Sequence, residues 1–362
     1  GDKQMQKDNL VIWGYFTENL GDDLMLKAFL NSVKGKYKKI YINSLKQYKP
    51  LYLGFNVRVV SQNALVFRVI NKFLCLINRP ELYYRLILNK NTDFAMLGGS
   101  LFIEAQSAEN ARRLKNLEYA VSHAKNSYVV GSNFGPYHTE DFLCRYKELF
   151  KKCRRVCFRD KYSYGLFNDM PNVRYAPNII LSGLWDEKPE AAEKGGDVVI
   201  SVINLENRAN LRSKTDEYEK LLADIAVCHI KEGDRVVLAA FCDREGDVKA
   251  CRRIKELCGN CEPQIAVYKG LDFLTLLSGA KKIYGSRFHS VILAMYYGVP
   301  CVPFIYSEKT LNALKAYCSS FQAIDITKLS EYSFDDIVKS CQSPELLPNV
   351  KNDAAQQFEG MD

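Results

Sequence analysis

Residues 285–309, GSRFHSVILAMYYGVPCVPFIYSEK, predict the end of a strand, a helix, a turn and a second strand in direct succession. An apolar run follows His289, the sequence Gly-Val-Pro ends it, and the next run, CVPFIYS, is rich in β-branched and aromatic residues. A strand, a crossover helix and a second strand form the repeating unit of parallel sheets. The stretch therefore predicts an α/β fold with a parallel sheet.

The same stretch carries polar side chains where the strand meets the helix. Ser286, Arg287 and His289 lie at the predicted helix N-terminus, where free backbone N–H groups and the helix dipole favour anions. Arg287 supplies a planar fork suited to a carboxylate or phosphate. His289 can donate to the same anion or move a proton, because imidazole titrates near neutrality. Lys309 opens the next predicted helix and adds a cation. A helix cap with a solvated arginine is the alternative, but the convergence on one strand edge favours an anion site.

The alternation of strands and helices continues on both sides of this stretch. Runs typical of buried strands occupy 9–15, 38–43, 93–99, 127–133 and 155–160 in the first half, and 197–203, 235–241, 264–270, 281–286 and 301–307 in the second. Residues 184–197 are charged, contain proline and glycine and lack an apolar period, which predicts a linker. We therefore predict an N-terminal α/β domain over 1–190, a C-terminal α/β domain over 191–335 and a helical tail over 336–362. Because ligands of such sheets bind beyond the carboxyl ends of the strands, we expect the two domains to face a cleft.

Length and composition limit the function. A chain of 362 residues is long enough for two domains with separate cores. The net charge of +8 favours anionic partners, but no RNA-binding signature or long basic run accompanies it, so we expect no nucleic-acid partner. The cysteines are scattered through apolar runs, and the C-x-x-C of Cys258 and Cys261 has no second pair, so we expect no metal site. With no visible signal peptide and no long uncharged stretch, we expect a cytoplasmic protein.

Two segments of the first half leave backbone and polar groups where a predicted strand ends. Residues 15–25, YFTENLGDDLM, place Asn19 and Asp22 at the start of a helix, with a simple Asn-Gly-Asp capping turn as the alternative. Gly98 and Gly99 follow another strand, where open backbone can bind an oxyanion or a sugar. Neither segment has the glycine spacing of a P-loop or of a Rossmann dinucleotide fingerprint.

Two further cationic or titratable residues follow first-half strands. Arg159 lies at a strand-to-helix turn, where a surface ion pair is the alternative to ligand binding. His138 lies in the cap region of a predicted helix, a position that is more often structural than catalytic. Both positions lie near the expected cleft.

The order of these motifs resembles that of the polysaccharide pyruvyl transferase family across nearly the whole chain. The motifs are N-x-G-D (19–22), G-G-S (98–100), G-x-x-x-G-P (131–136), R-x-x-x-S (159–163), A-P (176–177), S-R-x-H (286–289), G-x-P (298–300) and Y-x-x-K (306–309). The resemblance implies a two-domain fold like that of GT-B glycosyltransferases. It also implies transfer of pyruvate from phosphoenolpyruvate to a sugar as a ketal during surface polysaccharide biosynthesis, with no cofactor beyond this co-substrate and no metal.

The resemblance and the residue chemistry together assign roles. Arg287, Arg159 and Lys309 are expected to bind the charges of phosphoenolpyruvate together with Ser286, and His289 is expected to bind phosphate and act as the acid. The acceptor, a sugar or a lipid-linked oligosaccharide, is expected beside the N-terminal domain, near Asn19, Asp22, Gly98, Gly99 and His138. Asp22, Glu104 and His138 are the candidates for the base that deprotonates it.

Two positions depart from the pattern of the family. Ser100 stands where the family often has a third glycine. Asn178 stands where an aspartate commonly follows Ala-Pro, and an amide cannot serve as a base. We expect position 178 to order the domain junction rather than to take part in catalysis.

Two alternative functions remain open. A glycosyltransferase of the same architecture would use the strand-edge cations for the diphosphate of a nucleotide sugar. A non-catalytic carbohydrate-binding relative would bind sugar without releasing phosphate.

Residues 64–90, ALVFRVINKFLCLINRPELYYRLILNK, do not follow the alternating pattern. They are apolar and aromatic, with five basic residues and one acidic residue. Two helices packed on the sheet are one interpretation. The other is an amphipathic surface that rests on an anionic membrane at its inner face.

Overall fold

The computed structural model describes residues 7–16, 18–42, 54–60, 65–77, 79–105, 107–186, 195–306, 308–318, 322–340, 343 and 345–361. The chain forms two compact units. The first comprises Gly1–Thr17, Asp22–Trp185 and Lys351–Asp362, and the second comprises Glu18–Gly21 and Asp186–Val350.

The first unit is built on a seven-stranded parallel sheet. Its strands are β1 (Lys7–Trp13), β2 (Tyr37–Ile42), β3 (Val57–Val59), β4 (Thr92–Leu97), β5 (Ser127–Ser132), β6 (Arg155–Phe158) and β7 (Val173–Tyr175), in the order β3-β2-β1-β4-β5-β6-β7. Its helices are α1 (Leu20–Ser32), of which Leu20 and Gly21 belong to the second unit, α2 (Leu65–Leu76), α3 (Leu82–Ile87), α4 (Ser107–His123), α5 (Glu140–Lys151) and α6 (Lys161–Gly165). The strand order reverses between β1 and β4, as it does in Rossmann folds.

The second unit repeats this topology with six strands. They are β8 (Val198–Val202), β9 (Val236–Ala240), β10 (Gln264–Val267), β11 (Lys282–Gly285), β12 (Cys301–Ile305) and β13 (Ile324–Asp325), in the order β10-β9-β8-β11-β12-β13. The helices are α7 (Thr215–Lys231), α8 (Asp247–Leu257), α9 (Phe273–Ser278), α10 (Phe288–Tyr297), α11 (Glu308–Lys315) and α12 (Phe334–Lys339). All strand pairs in both sheets are parallel, which confirms the predicted fold class of two Rossmann-like α/β units.

The central strands are buried on both faces because helices cover each sheet on both sides. Every residue of β4, β5, β8 and β9 is buried, which explains why their sequences are largely apolar and do not alternate with polar residues. The first unit adds an aromatic cluster under β5, in which Phe134 contacts the rings of Tyr146 and Phe167 edge-on at 5.5 and 4.9 Å. Rigid, buried strands hold the loops at their carboxyl ends in place.

The C-terminal segment is divided between the units. We expected one helical tail over 336–362, but α12 belongs to the second unit, and α13 (Val350–Ala355) leads the chain back to the first. There the buried Gln357 accepts a hydrogen bond from Gly131 N at 2.8 Å and donates to Ala176 O at 2.7 Å. One side chain thus joins the ends of β5 and β7. The expected boundary between domains, at 190 and 191, lies outside the described residues.

Candidate functional site

At the carboxyl edge of the second sheet, Arg287 is held by two carboxylates. It follows β11, and its Nε donates to Asp247 Oδ2 at 2.9 Å while Nη1 donates to Glu245 Oε2 at 2.6 Å. Nη2 donates to the other oxygen of Asp247. Asp247 is fully buried and the Arg287 side chain is 11% exposed. Burial opposes the charge of Arg287, but the two carboxylates outweigh it and raise the pKa of the guanidinium above its usual range. Arg287 therefore stays charged with a fixed orientation.

The backbone around Arg287 is tied to the neighbouring strand β8. Arg287 N donates to Ser201 Oγ at 3.3 Å, and the hydroxyl of Tyr218 donates to Ser286 Oγ at 2.8 Å. The same tyrosine oxygen accepts from Ile203 N at 3.3 Å. These bonds fix the turn that leads into α10.

His289 lies in the first turn of α10 and is half-buried. Residues Glu18–Gly21 cluster with the second unit, and a Cβ built on Gly21 would stand 1.7 Å from His289 Nδ1. Glycine is required here for close approach to the imidazole. Asn19 accepts from Gly21 N at 3.1 Å, so it caps α1, as the alternative interpretation of this turn predicts.

Arg208 is a cation of this region that the sequence analysis missed. It follows β8, lies 3.6 Å from Glu245 and places its guanidinium 4.9 Å above the ring of Tyr306. Tyr306 opens the Y-x-x-K motif. The signal available in the sequence was an arginine soon after a strand end, the same signal that singled out Arg159. The side chain of Lys309, at the start of α11, lies outside the described part of the chain.

In the first unit, the ends of β4, β5 and β6 bring a second group of predicted residues together. Arg159 Nη2 donates to Asn133 Oδ1 at 2.7 Å, and Ser100 Oγ donates to the same oxygen at 3.1 Å. A Cβ at Gly99 would stand 2.7 Å from Arg159 Nη1, so glycine admits the guanidinium. Gly98 has φ 146°, a conformation that favours glycine. Arg159 therefore lies beside Gly98 and Gly99, whereas the sequence assigned them to different substrates.

The serine of the R-x-x-x-S motif, Ser163, has a structural role. Ser163 Oγ donates to Asp160 Oδ2 at 2.8 Å and accepts from Phe134 N at 2.7 Å. Asp160 also caps α6 by accepting from Ser163 N at 2.8 Å. The serine fixes the loops that carry Arg159 and Asn133.

The remaining first-unit candidates are spread out. Asp22 lies in the first turn of α1, and His138 is exposed before α5. Glu104 binds the start of α5, since Oε1 accepts from Thr139 Oγ1 at 2.6 Å and Oε2 accepts from the backbone N–H groups of His138 and Thr139. The Thr139 hydroxyl and these amides lower the pKa of Glu104. Glu104 is therefore a poor base.

Asn178 has a capping role. It is fully buried, and its Oδ1 accepts from Ile180 N at 3.0 Å at the start of the short 3₁₀ helix Ile179–Ser182. Its amide orders the start of this 3₁₀ helix, and a role at the domain junction stays a prediction.

Among the described residues, one group of potential metal ligands lies close together: His229, Glu232 and Asp234. His229 already has a partner at each ring nitrogen, Asp234 Oδ2 and the Tyr284 hydroxyl, both at 2.9 Å. Asp234 also accepts from Lys281. The group forms a structural network at the amino ends of β9 and β11.

Comparisons with known proteins agree with this architecture. A UDP-N-acetylglucosamine 2-epimerase from Rickettsia bellii superposes with a TM-score of 0.57 at 9% identity, covering 98% of this chain and 95% of that chain. The UDP-GlcNAc 2-epimerase of Methanocaldococcus jannaschii, in complex with UDP-GlcNAc and UDP, gives 0.55 at 11% identity, covering 96% and 98%. At these identities the likeness concerns the fold, and it confirms the GT-B-type class.

Sequence comparison is more specific. The amylovoran biosynthesis protein AmsJ of Erwinia amylovora is 21% identical over 262 residues, which are 66% of this chain and 62% of AmsJ. The chain thus matches less than two thirds of the length of this relative. The model of the family described as polysaccharide pyruvyl transferase matches residues 19–308, about four fifths of the chain, a range that contains the motifs from N-x-G-D to G-x-P. The chain therefore belongs to the polysaccharide pyruvyl transferase family.

Proposed function

We propose that this protein transfers pyruvate from phosphoenolpyruvate to a sugar as a ketal during surface polysaccharide biosynthesis. Membership of the family and the relation to AmsJ support a transferase in polysaccharide biosynthesis. The observation that carries the proposal is the joint placement of Arg287 and His289 where β11 ends and α10 begins. A fixed cation and a proton donor at a helix N-terminus suit an anionic donor that must be protonated.

The orientation of Arg287 supports a role in binding the anionic donor, although the net charge around it is balanced. The three bonds to Asp247 and Glu245 use three of the five N–H donors of a guanidinium, which leaves two to donate to an anion. The charges of Arg287 and Arg208 are balanced by those of Asp247 and Glu245. The site is thus preorganised, and further cations must neutralise phosphoenolpyruvate. Arg159 and Lys309 are our candidates for that task.

The proposed reaction begins with proton transfer from His289 to the methylene carbon of phosphoenolpyruvate. The adjacent carbon becomes electrophilic and accepts the first sugar hydroxyl. The bond from this carbon to the phosphate oxygen then breaks, inorganic phosphate leaves, and a second hydroxyl of the sugar closes the ketal. The two hydroxyls lose two protons in total: one restores His289 and the other leaves with phosphate. The reaction needs no oxidant or reductant.

The acceptor sugar is placed beside Gly98, Gly99, Asp22 and His138 in this proposal. Arg159 lies against Gly99, so in this proposal the arginine can also contact the acceptor. Because Glu104 is bonded to the start of α5, Asp22 and His138 are the better candidates for the base.

A donor comparison tests the function. Phosphoenolpyruvate should raise the melting temperature more than UDP or GDP sugars do, and inorganic phosphate should appear only when a suitable glycoside from a panel is added. Stabilisation by a nucleotide sugar with transfer of its sugar would replace the proposal with a glycosyltransferase. Sugar binding without phosphate release from any acceptor would indicate a non-catalytic relative.

A further inference from the structure

Helix α2 presents an apolar face to solvent. Of its 12 residues, Asn71 and Leu74 are buried. The apolar side chains that point outward are 60–79% exposed: Leu65, Val66, Val69, Phe73 and Leu76, called the α2 face below. Soluble proteins rarely expose so many large apolar side chains on one helix.

The α2 face is contiguous. Leu65, Val69, Phe73 and Leu76 follow one another at spacings of four, four and three residues, so they form one stripe along the helix. In the next helix, Leu86 is 67% exposed. Of the thirteen large hydrophobic side chains exposed in the described residues, seven lie between 65 and 86. The exposure is therefore concentrated in one part of the first unit.

The packing below explains why α2 faces outward. Helix α3 buries Tyr83 and Tyr84 in the core of the first unit, where Tyr84 meets Phe94 of β4 edge-on. Helix α2 is joined to α3 through Asn71 Oδ1, which accepts from Leu82 N at 2.9 Å. Helix α3 thus supplies two aromatic side chains to the core, whereas α2 buries only Asn71 and Leu74 and leaves the α2 face exposed.

Positive charge accompanies the α2 face. Arg68 and Lys72 are exposed one helical turn apart, beside the stripe. Residues 65–90 contain five basic side chains and one acidic side chain, Glu81, which is itself paired with Arg112 at 2.8 Å. Long cationic side chains beside an exposed apolar stripe match the interface of an anionic bilayer, where the chains extend to the headgroups.

We propose that the α2 face docks the protein on a membrane of anionic phospholipids. This goes beyond the proposed transfer reaction and does not depend on it. Charge favours a bilayer over a second copy of the chain, because two facing copies would bring like charges together. The proposed contact is with the membrane surface. Among the described residues, no helix is long and apolar enough to cross a membrane.

Co-sedimentation with vesicles tests the proposal on the full chain. The wild-type protein should pellet with vesicles that mix phosphatidylglycerol into phosphatidylcholine, and much less with phosphatidylcholine alone. Binding should fall as salt rises, because the Debye length shrinks from about 10 Å at 0.1 M to about 3 Å at 1 M. The double variant Arg68→Gln/Lys72→Gln should lower the partition coefficient about fivefold for each charge removed.

Matched variants separate the surface from general effects. Arg145→Gln/Lys152→Gln removes the same two charges from another exposed position of the first unit and should change binding less than twofold. Phe73→Glu should abolish binding, whereas Leu257→Glu, at a side chain 48% exposed in the second unit, should leave it intact. Melting curves check that each variant is folded.

Three results would overturn the proposal. If the wild-type protein stays in the supernatant with both kinds of vesicle, with and without phosphatidylglycerol, the α2 face does not bind membranes. Equal binding by Phe73→Glu and wild type would place any lipid contact elsewhere. Concentration-dependent dimers that Phe73→Glu abolishes, without vesicle binding by wild type, would show that a second copy covers the face.

Discussion

Each unit places an arginine just after the carboxyl end of a strand, but the two arginines have different surroundings. In the first unit, Arg159 donates to the neutral amide of Asn133 and lies against the open backbone of Gly99. In the second, Arg287 donates hydrogen bonds to the carboxylates of Asp247 and Glu245. The same residue type thus has a neutral partner in one unit and charged partners in the other. The two carboxylates fix the orientation of Arg287, whereas the bond from Arg159 to Asn133 is made to a neutral amide oxygen.

The largest expected effect is on the free energy of unfolding, when each arginine is replaced by methionine. Arg287→Met leaves Asp247 buried without its cation and should lower the free energy of unfolding by about 3–5 kcal/mol. Arg159→Met loses its bond to Asn133 and should cost about 1–2 kcal/mol. Urea unfolding of both variants measures the difference. Equal losses would remove the distinction between the two sites.

A second substitution sharpens this test. In the Arg287→Met background, Asp247→Asn removes the unpaired charge but keeps an oxygen that can accept from Cys242 N, as Asp247 does at 2.9 Å. Stability should return in part. No recovery would mean that Arg287 stabilises the unit by packing rather than by its charge.

The next largest effect is the loss of activity when a methyl group is added beside the imidazole of His289. Gly21→Ala puts a Cβ where His289 lies, so the ring must move, and kcat/KM should fall about tenfold or more. Gly165→Ala is the control, because a Cβ at Gly165 of α6 meets no atom within 4 Å. Kinetics with phosphoenolpyruvate as the varied substrate measure both. Unchanged activity in Gly21→Ala would show that the position of His289 is unimportant.

The smallest effect concerns the opposite, amino edge of the second sheet. Burial raises the pKa of Asp234, but hydrogen bonds from Lys281 and His229 outweigh it, and the pKa lies below its usual value. Its stabilisation is therefore present above about pH 4 and is lost as the pH falls through the lower, folded-state pKa. Asp234→Asn should cost about 1 kcal/mol at neutral pH and reduce the loss of stability in acid, with activity unchanged. A large loss of activity in a folded variant would give this network a functional role.

Much of the fold could be predicted because each central strand carries its own signal. The runs at 93–99 and 197–203 are mostly apolar, and the structure places β4 and β8 there. The strands β3, β7 and β13 were missed, since two or three residues are too few to show a period. These three short edge strands depend on the sheet beside them rather than on their own sequence.

The sequence predicted where the candidate site residues lie in the fold, but it did not predict the hydrogen-bond partners of Arg287. Arg287 and His289 lie where the strand and helix pattern places them. The partners of Arg287 lie about 40 residues earlier and reach it because β9 and β11 both flank β8. Strand order is a property of the whole sheet, so no local pattern reveals this pair. Arg208 was missed for the same reason, because its partners, Glu245 and Tyr306, also come from other strands.

The measurement that tests the central claim most directly is the turnover of His289→Ala. If His289 protonates phosphoenolpyruvate, kcat for phosphate release in the presence of the acceptor should fall by about a hundredfold or more, with the apparent KM for phosphoenolpyruvate changed far less. His123→Ala, at an exposed histidine stacked on Tyr119, should retain wild-type kinetics. Both variants should melt close to the wild-type temperature. Wild-type turnover in a folded His289→Ala protein would contradict the assignment of the acid and the account of the site built on it.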